Sequence, residues 1–338
     1  MNKYDVLVLG SGPGGYVAAI RSAQRGLKTA LVEKEHIGGV CLNWGCIPTK
    51  AIIKSVNTFR DVKGAASVGI DVESAKADIP KIIARSRDVA DRLSKGVAFL
   101  LKKNNVDIYE GFGKLVSKSS VELTAADGEK QLIEAQNIIL ATGARPKELP
   151  HIKINGKKII SSKHALALDV LPEKMAIMGA GAIGLEFAYI YKHLGVEVTV
   201  VEFLPAIAPN EDDEISKELL KAYKKQKIKA LVSTKVMEVK ESGEGLELKL
   251  EGPKGAASLE VDMLLSAVGV TPNTENIGLE TLDETFFFGG LSATILDPGK
   301  VEVNFYTSMF STWLAVHESV IESPVRDRLR LSEFTGNL

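Results

Sequence analysis

Asp5-Val6-Leu7-Val8-Leu9-Gly10-Ser11-Gly12-Pro13-Gly14-Gly15 is the stretch that decides the fold. Residues 5–9 form a continuous apolar run of strand length, as in a parallel sheet buried on both faces. The glycines make a turn, and the alanine-rich stretch 16–25 after it reads as a helix. Past Gly26 a second strand, 28–32, ends in Glu33. Strand, glycine turn, helix, strand and acid in that order specify a dinucleotide-binding βαβ unit. Gly10 permits the tight turn, Gly12 lets a pyrophosphate approach the backbone, and Gly15 lets helix and strand pack closely. The helix N-terminus carries the phosphates in this reading, and Glu33 is placed to accept hydrogen bonds from a ribose.

The pattern then repeats. Gly179, Gly184, Gly195 and Glu202 lie 169 residues after Gly10, Gly15, Gly26 and Glu33, and Gly181 stands where the first copy has Gly12. Strands are expected at 175–178 and 198–201. Each copy carries short alternating strands after its βαβ core, in 106–139 of the first and at 229–239, 246–250 and 258–261 of the second. Each also ends in a strand and turn: 137–146 in the first copy, 263–272 in the second. The expected fold is therefore α/β, with two Rossmann-like dinucleotide-binding domains, each with a small antiparallel insert. The expected boundaries are 1–150, 151–272 and a remainder, 273–338. Two long helices are expected besides, from Pro48 to about Lys63 and over 78–103, the charges of the latter forming a solvated face.

At 338 residues the chain has room for two or three domains. Its net charge of −1 argues against nucleic acid or an acidic membrane surface as the main partner. No apolar run reaches membrane-spanning length, and the first residues lead straight into a strand with no signal segment, so a cytoplasmic location is expected.

The two cysteines of the chain, Cys41 and Cys46, stand in Gly38-Gly39-Val40-Cys41-Leu42-Asn43-Trp44-Gly45-Cys46-Ile47-Pro48-Thr49-Lys50. A lone close pair in an intracellular chain points to redox or metal chemistry. Zinc normally wants four ligands, which two cysteines and the one nearby histidine, His36, do not make up, so no metal is expected and a redox-active disulfide is the better reading. On an ideal helix residues five apart have Cα atoms roughly 8–9 Å apart, whereas a disulfide needs about 4.4–6.8 Å. The segment cannot be regular helix throughout, and Gly45 can supply the break. A thiolate at a helix start is stabilised by the unpaired N–H groups there, and Lys50 adds a positive charge one turn on.

This motif resembles the active site of the pyridine nucleotide–disulfide oxidoreductases, written G-G-x-C-x-x-x-x-C-x-P-x-K, and the resemblance runs from about Tyr4 to Glu280. It implies that the first domain binds flavin adenine dinucleotide (FAD) and the second NAD. In the family Cys41 would exchange with the substrate disulfide, Cys46 would lie beside the flavin, and Lys50 would polarise the flavin edge while pairing with Glu186. Gly113 and the Thr142-Gly143 turn would contact FAD, with a plain hairpin glycine as the alternative for Gly113. Val236 would lie along the NAD adenine, and Gly269 parallels Gly143 in the second copy. Glu202 favours NAD over NADP, since a carboxylate there repels a 2′-phosphate and Phe203-Leu204-Pro205-Ala206 offers no arginine.

The wording of the motif implies oxidation of dihydrolipoyl groups with NAD, on the lipoyl domains of 2-oxoacid dehydrogenase complexes, by a homodimer. Past Leu282 the resemblance is lost. The family's dimerisation domain is expected to be missing, and a shifted reading frame is suspected there. The alternatives are a nucleotide-binding remnant that turns nothing over, or a reductase of glutathione or mercuric ion. The former reductase would want arginines near Glu202, and the latter a C-terminal cysteine pair.

Overall fold

The computed structural model describes residues 2–279 and, beyond them, three two- to four-residue strands. In chain order the first half contains β1 (Asn2–Leu9), α1 (Pro13–Gln24), β2 (Thr29–Glu33), α2 (Gly39–Trp44), α3 (Cys46–Lys63), α4 (Ile79–Lys103), β3 (Asp107–Glu110), β4 (Phe112–Ser117), β5 (Ser120–Thr124), β6 (Lys130–Leu140) and β7 (Ala144–Pro146). The second half contains β8 (Ile159–Ser161), α5 (Ser162–Ala165), β9 (Lys174–Met178), α6 (Ala182–His193), β10 (Glu197–Val201), α7 (Asp213–Lys225), β11 (Lys229–Leu231), β12 (Lys235–Ser242), β13 (Gly245–Gly252), β14 (Gly255–Val261), β15 (Met263–Ser266) and β16 (Val270–Pro272). β17 (Phe287–Phe288), β18 (Thr294–Asp297) and β19 (Lys300–Val301) follow, with β17 parallel to β6. The expected change past Leu282 falls mostly outside the described residues.

Each half is a parallel sheet wound by the βαβ rule. The first runs β6-β1-β2-β3 and the second β11-β10-β9-β15-β8. The apolar runs are buried as their composition requires: Leu7, Val8, Leu31, Ala176, Ile177 and Val200 are fully enclosed. Each such Leu, Ile or Val contributes roughly 1.5–3 kcal/mol by leaving water.

β6 serves two sheets at once. Residues 130–134 pair antiparallel with β5, and 133–140 pair parallel with β1. That dual use grafts the first insert, β4-β5-β6, onto its domain. The second insert is a separate meander, β12-β13-β14. Here the expected single strand over 229–239 is wrong. Residues 229–231 belong to the parallel sheet and 235–242 to the meander, and the chain turns between them at Ser233, whose φ of +48° no strand residue adopts.

Three features connect the halves. β7 pairs antiparallel with β16, so the ends of the two repeats bind each other. Past β16 the chain returns to the first half, where Leu115 N–H donates to Ile277 C=O at 2.8 Å and Ile277 joins the core of Leu7, Leu9 and Leu115. The helix carrying Cys46, α3, buries Ile52 and Val56 in the core of the second half, with Phe187, Ala188 and Ile190. No helix among the described residues is long and apolar enough to cross a membrane.

Candidate functional site

The two glycine turns superimpose in their chemistry. Gly10 and Gly179 have φ of +100° and +104°, which glycine adopts without strain. A Cβ on Gly10 would lie 2.2 Å from Ala141 C=O oxygen, and one on Gly179 2.3 Å from that of Ala267. A Cβ on Gly15 or Gly184 would lie 1.8 or 2.0 Å from the carbonyl oxygen of Gly10 or Gly179. These four glycines are fixed by the fold itself. Gly12 and Gly181 differ: a Cβ there would meet nothing within 4 Å. Nothing in the protein requires glycine at either, yet both sit at helix starts, bordering a cleft of about 1980 Å³. That space exceeds the ~300–1,000 Å³ of an ordinary ligand site. A dinucleotide at each turn fits it.

The acids close the turns in the same way. Glu33 accepts from Ser11 N–H at 2.8 Å, Ser11 O–H at 2.6 Å and Glu35 N–H at 2.8 Å. Glu202, buried, accepts from Ala180 N–H at 2.6 Å and Leu204 N–H at 2.8 Å. Both line the cleft, as do Thr142, Gly143, Gly269 and Val236. Asn273 holds the Thr142-Gly143 turn, donating to Thr142 C=O from its side chain (2.9 Å) and to Gly143 C=O from its backbone (3.0 Å). Val236 is buried in β12 with its face on the cleft. Gly113 is no hairpin-turn glycine. It lies within β4, where a Cβ would press 2.9 Å from Leu9 and 3.3 Å from Val32.

The cysteine pair borders the same cleft. α2 ends at Trp44, Gly45 takes φ −147° and ψ −119°, and α3 begins at Cys46. The break that the spacing demanded is therefore at Gly45. Both cysteines are thiols in this structure, half-buried and bordering the cleft, with Cys41 hydrogen-bonded to Cys46. That contact does most to lower the Cys46 thiol to about 7; the Lys50 charge and the Cys46 backbone N–H lower it further, against burial and the Glu186 charge. Cys41, as donor, is pushed up, first by that hydrogen bond and then by burial. Of the two thiols Cys46 is therefore the more acidic, and Cys41 is the one that keeps its proton to higher pH.

Lys50 Nζ donates to Glu186 Oε1, joining α3 to the second turn of α6, one turn further in than the sequence reading places that glutamate. Glu186 is the more enclosed partner, and burial raises its pKa against the pull of Lys50. One cleft-lining residue escaped the sequence reading. Tyr16 on α1 lines the cleft, its phenol pushed up chiefly by burial. It reads in sequence as one more residue of an apolar helix, and nothing in its spacing marks it.

Comparison with known proteins agrees with this geometry. Residues 4–287 match the family described as pyridine nucleotide-disulphide oxidoreductase, seven residues beyond the end expected at about Glu280. Over 282 residues the chain is 44% identical to a dihydrolipoyl dehydrogenase of Zymomonas mobilis, covering 83% of this chain and 60% of that one. It is also 44% identical over 298 residues to a dihydrolipoyl dehydrogenase of Rhizobium etli, covering 83% and 62%. Among solved structures, LpdA from Mycobacterium tuberculosis aligns with a TM-score of 0.75 at 27% identity, over 83% of this chain and 61% of its own. The chain thus spans about 60% of the length of the curated relatives it matches.

Proposed function

The chain belongs to the pyridine nucleotide-disulphide oxidoreductases, and from that premise we propose that it carries the nucleotide-binding and redox machinery of a dihydrolipoyl dehydrogenase. In this reading it oxidises protein-bound dihydrolipoyl groups and reduces NAD, with FAD as resident cofactor. Its partners are the lipoyl domains of 2-oxoacid dehydrogenase complexes. Residues 1–150 hold FAD through Gly10, Gly12, Gly15, Glu33, Gly113, Thr142 and Gly143. Residues 151–272 hold NAD through Gly179, Gly181, Gly184, Glu202, Val236 and Gly269. The observation that carries the reading is that one cleft is bordered by both glycine turns and by the thiol pair, with the Cys46 pKa lowered to about 7.

The chemistry follows from that lowered pKa. In the oxidised enzyme a dihydrolipoyl thiolate attacks Cys41, forming a mixed disulfide, and the Cys41–Cys46 bond breaks. Cys46 leaves as the thiolate, and a leaving thiol with a low pKa leaves faster. The second substrate sulfur attacks the first, which releases Cys41 and closes the lipoyl disulfide. The substrate has then lost two electrons and two protons; the enzyme pair has gained both electrons and the one proton on Cys41, the other proton having passed to solvent. Lys50 holds the Cys46 thiolate in place, and Glu186 fixes Lys50. A flavin held at the first turn by Gly10, Gly12, Gly15 and Glu33 would supply the two-electron exchange by which the pair returns to a disulfide and NAD becomes NADH.

The test follows NADH formation from dihydrolipoamide and NAD by absorbance, in the wild type and in Cys46→Ser, with bound flavin measured on the same samples. The reading expects turnover in the wild type and none in Cys46→Ser, with equal flavin. Bound nucleotide without any turnover would favour the non-catalytic remnant instead.

A further inference from the structure

The distance between the two sulfurs depends on how α2 meets α3 at Gly45. α2 is only six residues long, and its Leu42 N–H reaches Gly38 C=O at a long 3.5 Å. So short a helix does not hold itself. Its posture must come from outside, and the contacts run to α4. Arg87 Nη1 donates to Asn43 C=O at 2.5 Å, taking one of the carbonyls left free at the end of α2. The Arg87 guanidinium also lies 4.5 Å from the centre of the Trp44 ring. Its Nε and Nη2 are buried and have no oxygen or nitrogen partner among the described residues. The indole face takes the place of that partner.

Two turns further along α4, Ser94 O–H donates at 2.5 Å to Ile37 C=O, just before α2. Asn43 Nδ2 ties the same Ile37 carbonyl to the end of α2 at 3.0 Å. Arg85 goes to the other arm of the joint, where its Nη1 donates to Ala51 C=O of α3 at 2.8 Å. Two arginines two residues apart therefore grip the two helices on either side of Gly45. Lys163 of α5, in the second half of the chain, places Nζ 4.9 Å from the Trp44 ring centre and adds a second cation to it.

We propose that Arg87, assisted by Arg85, is a positioning residue of the redox pair, holding α2 and α3 at the angle that keeps Cys41 in contact with Cys46. Neither arginine touches a sulfur or belongs to the nucleotide turns. They act through the Cys41 to Cys46 hydrogen bond, which has the largest effect on Cys46. The inference extends the proposed redox role of the pair, but its test needs neither NAD nor flavin turnover.

The test is made on the full chain as purified, in wild type and in Arg87→Met, Arg87→Lys, Arg85→Met and Lys95→Met. Methionine keeps length and loses the donors; lysine keeps the charge and its reach toward Asn43. Lys95→Met removes an exposed α4 cation paired only with Asp91 and serves as control. Two quantities are read. One is the pH midpoint of Cys46 reactivity toward an aromatic disulfide reagent. The other is the Cys41–Cys46 dithiol to disulfide ratio in dithiothreitol buffers, in which the reagent's two thiols are oxidised as the protein disulfide is broken.

Arg87→Met should raise the midpoint by about one unit or more, from about 7 toward the ordinary 9, and favour the dithiol by about threefold or more as the sulfurs lose their enforced proximity. Arg87→Lys should recover at least half of each change, and Lys95→Met should match wild type. If Arg87→Met does not fold, Arg85→Met decides by the same direction of change in both quantities. A lowered melting temperature in these variants with midpoint and ratio as in wild type would overturn the proposal. An equal shift in Lys95→Met would overturn it too.

Discussion

Cys41→Ala removes the donor with the largest effect on Cys46 and leaves Lys50 and the helix start in place. The Cys46 midpoint should rise from about 7, with the ordinary thiol value of 9 as ceiling. At pH 7 a thiol of pKa 7 is about half thiolate and one of pKa 9 about 1%, a loss of about 50-fold. The more basic thiolate is also the better nucleophile. With a Brønsted slope of about 0.4–0.5, two units give roughly six- to tenfold. The net result at the ceiling is a rate about five- to eightfold lower at pH 7 and about six- to tenfold higher at pH 10, with the profiles crossing near pH 8. The assay is the initial rate of leaving-thiolate release from an aromatic disulfide reagent between pH 5 and 10. A variant profile that superimposes on wild type, or that is slower at every pH, would refute the assignment of the proton to Cys41.

Other outcomes separate the fold from the site. Gly15→Ala should prevent folding, because its Cβ would fall 1.8 Å from a backbone oxygen, whereas Gly12→Ala should melt like wild type and lose flavin; equal effects in melting and in flavin content would contradict the division. Lys50→Met should raise the Cys46 midpoint and Glu186→Gln should lower it, since the two charges act on it in opposite directions; shifts of one sign in both would show that neither acts through charge. Glu202→Ala should weaken NADH binding by roughly 1–3 kcal/mol, the range for a charged hydrogen bond, with flavin content unchanged; loss of flavin would mean that the two turns have been interchanged.

The two βαβ units were legible because each landmark is a local steric or hydrogen-bonding necessity, and such necessities recur wherever the unit does. Gly10, Gly15 and Glu33 mark backbone contacts of the first unit, and Gly179, Gly184 and Glu202 mark the same contacts in the second. The break at Gly45 was legible for a covalent reason, since two sulfurs five residues apart on one helix cannot meet. The pairing of β7 with β16 was not, since three-residue strands carry no periodicity. The split of 229–239 between two sheets was hidden for a related reason, as both pieces have strand composition and only a positive φ at Ser233 divides them.

The charged face of α4 was misread in part. Arg85 and Arg87 reach carbonyls of α3 and α2 rather than water alone, and Arg87 is partly enclosed, its pKa lowered by burial. A sequence shows where an arginine stands along a helix but not which carbonyl its long side chain meets.

The most direct measurement is an anaerobic titration of the oxidised, flavin-loaded protein with NADH. Free thiols are counted at each addition, and the labelled residues are identified by peptide mass. NADH brings two electrons, and with protons from solvent these convert one disulfide to two thiols. The account predicts two new thiols per NADH consumed, both labels falling on Cys41 and Cys46. NADH oxidation with no new thiols, or with Cys41 and Cys46 already unpaired before any NADH is added, would contradict it.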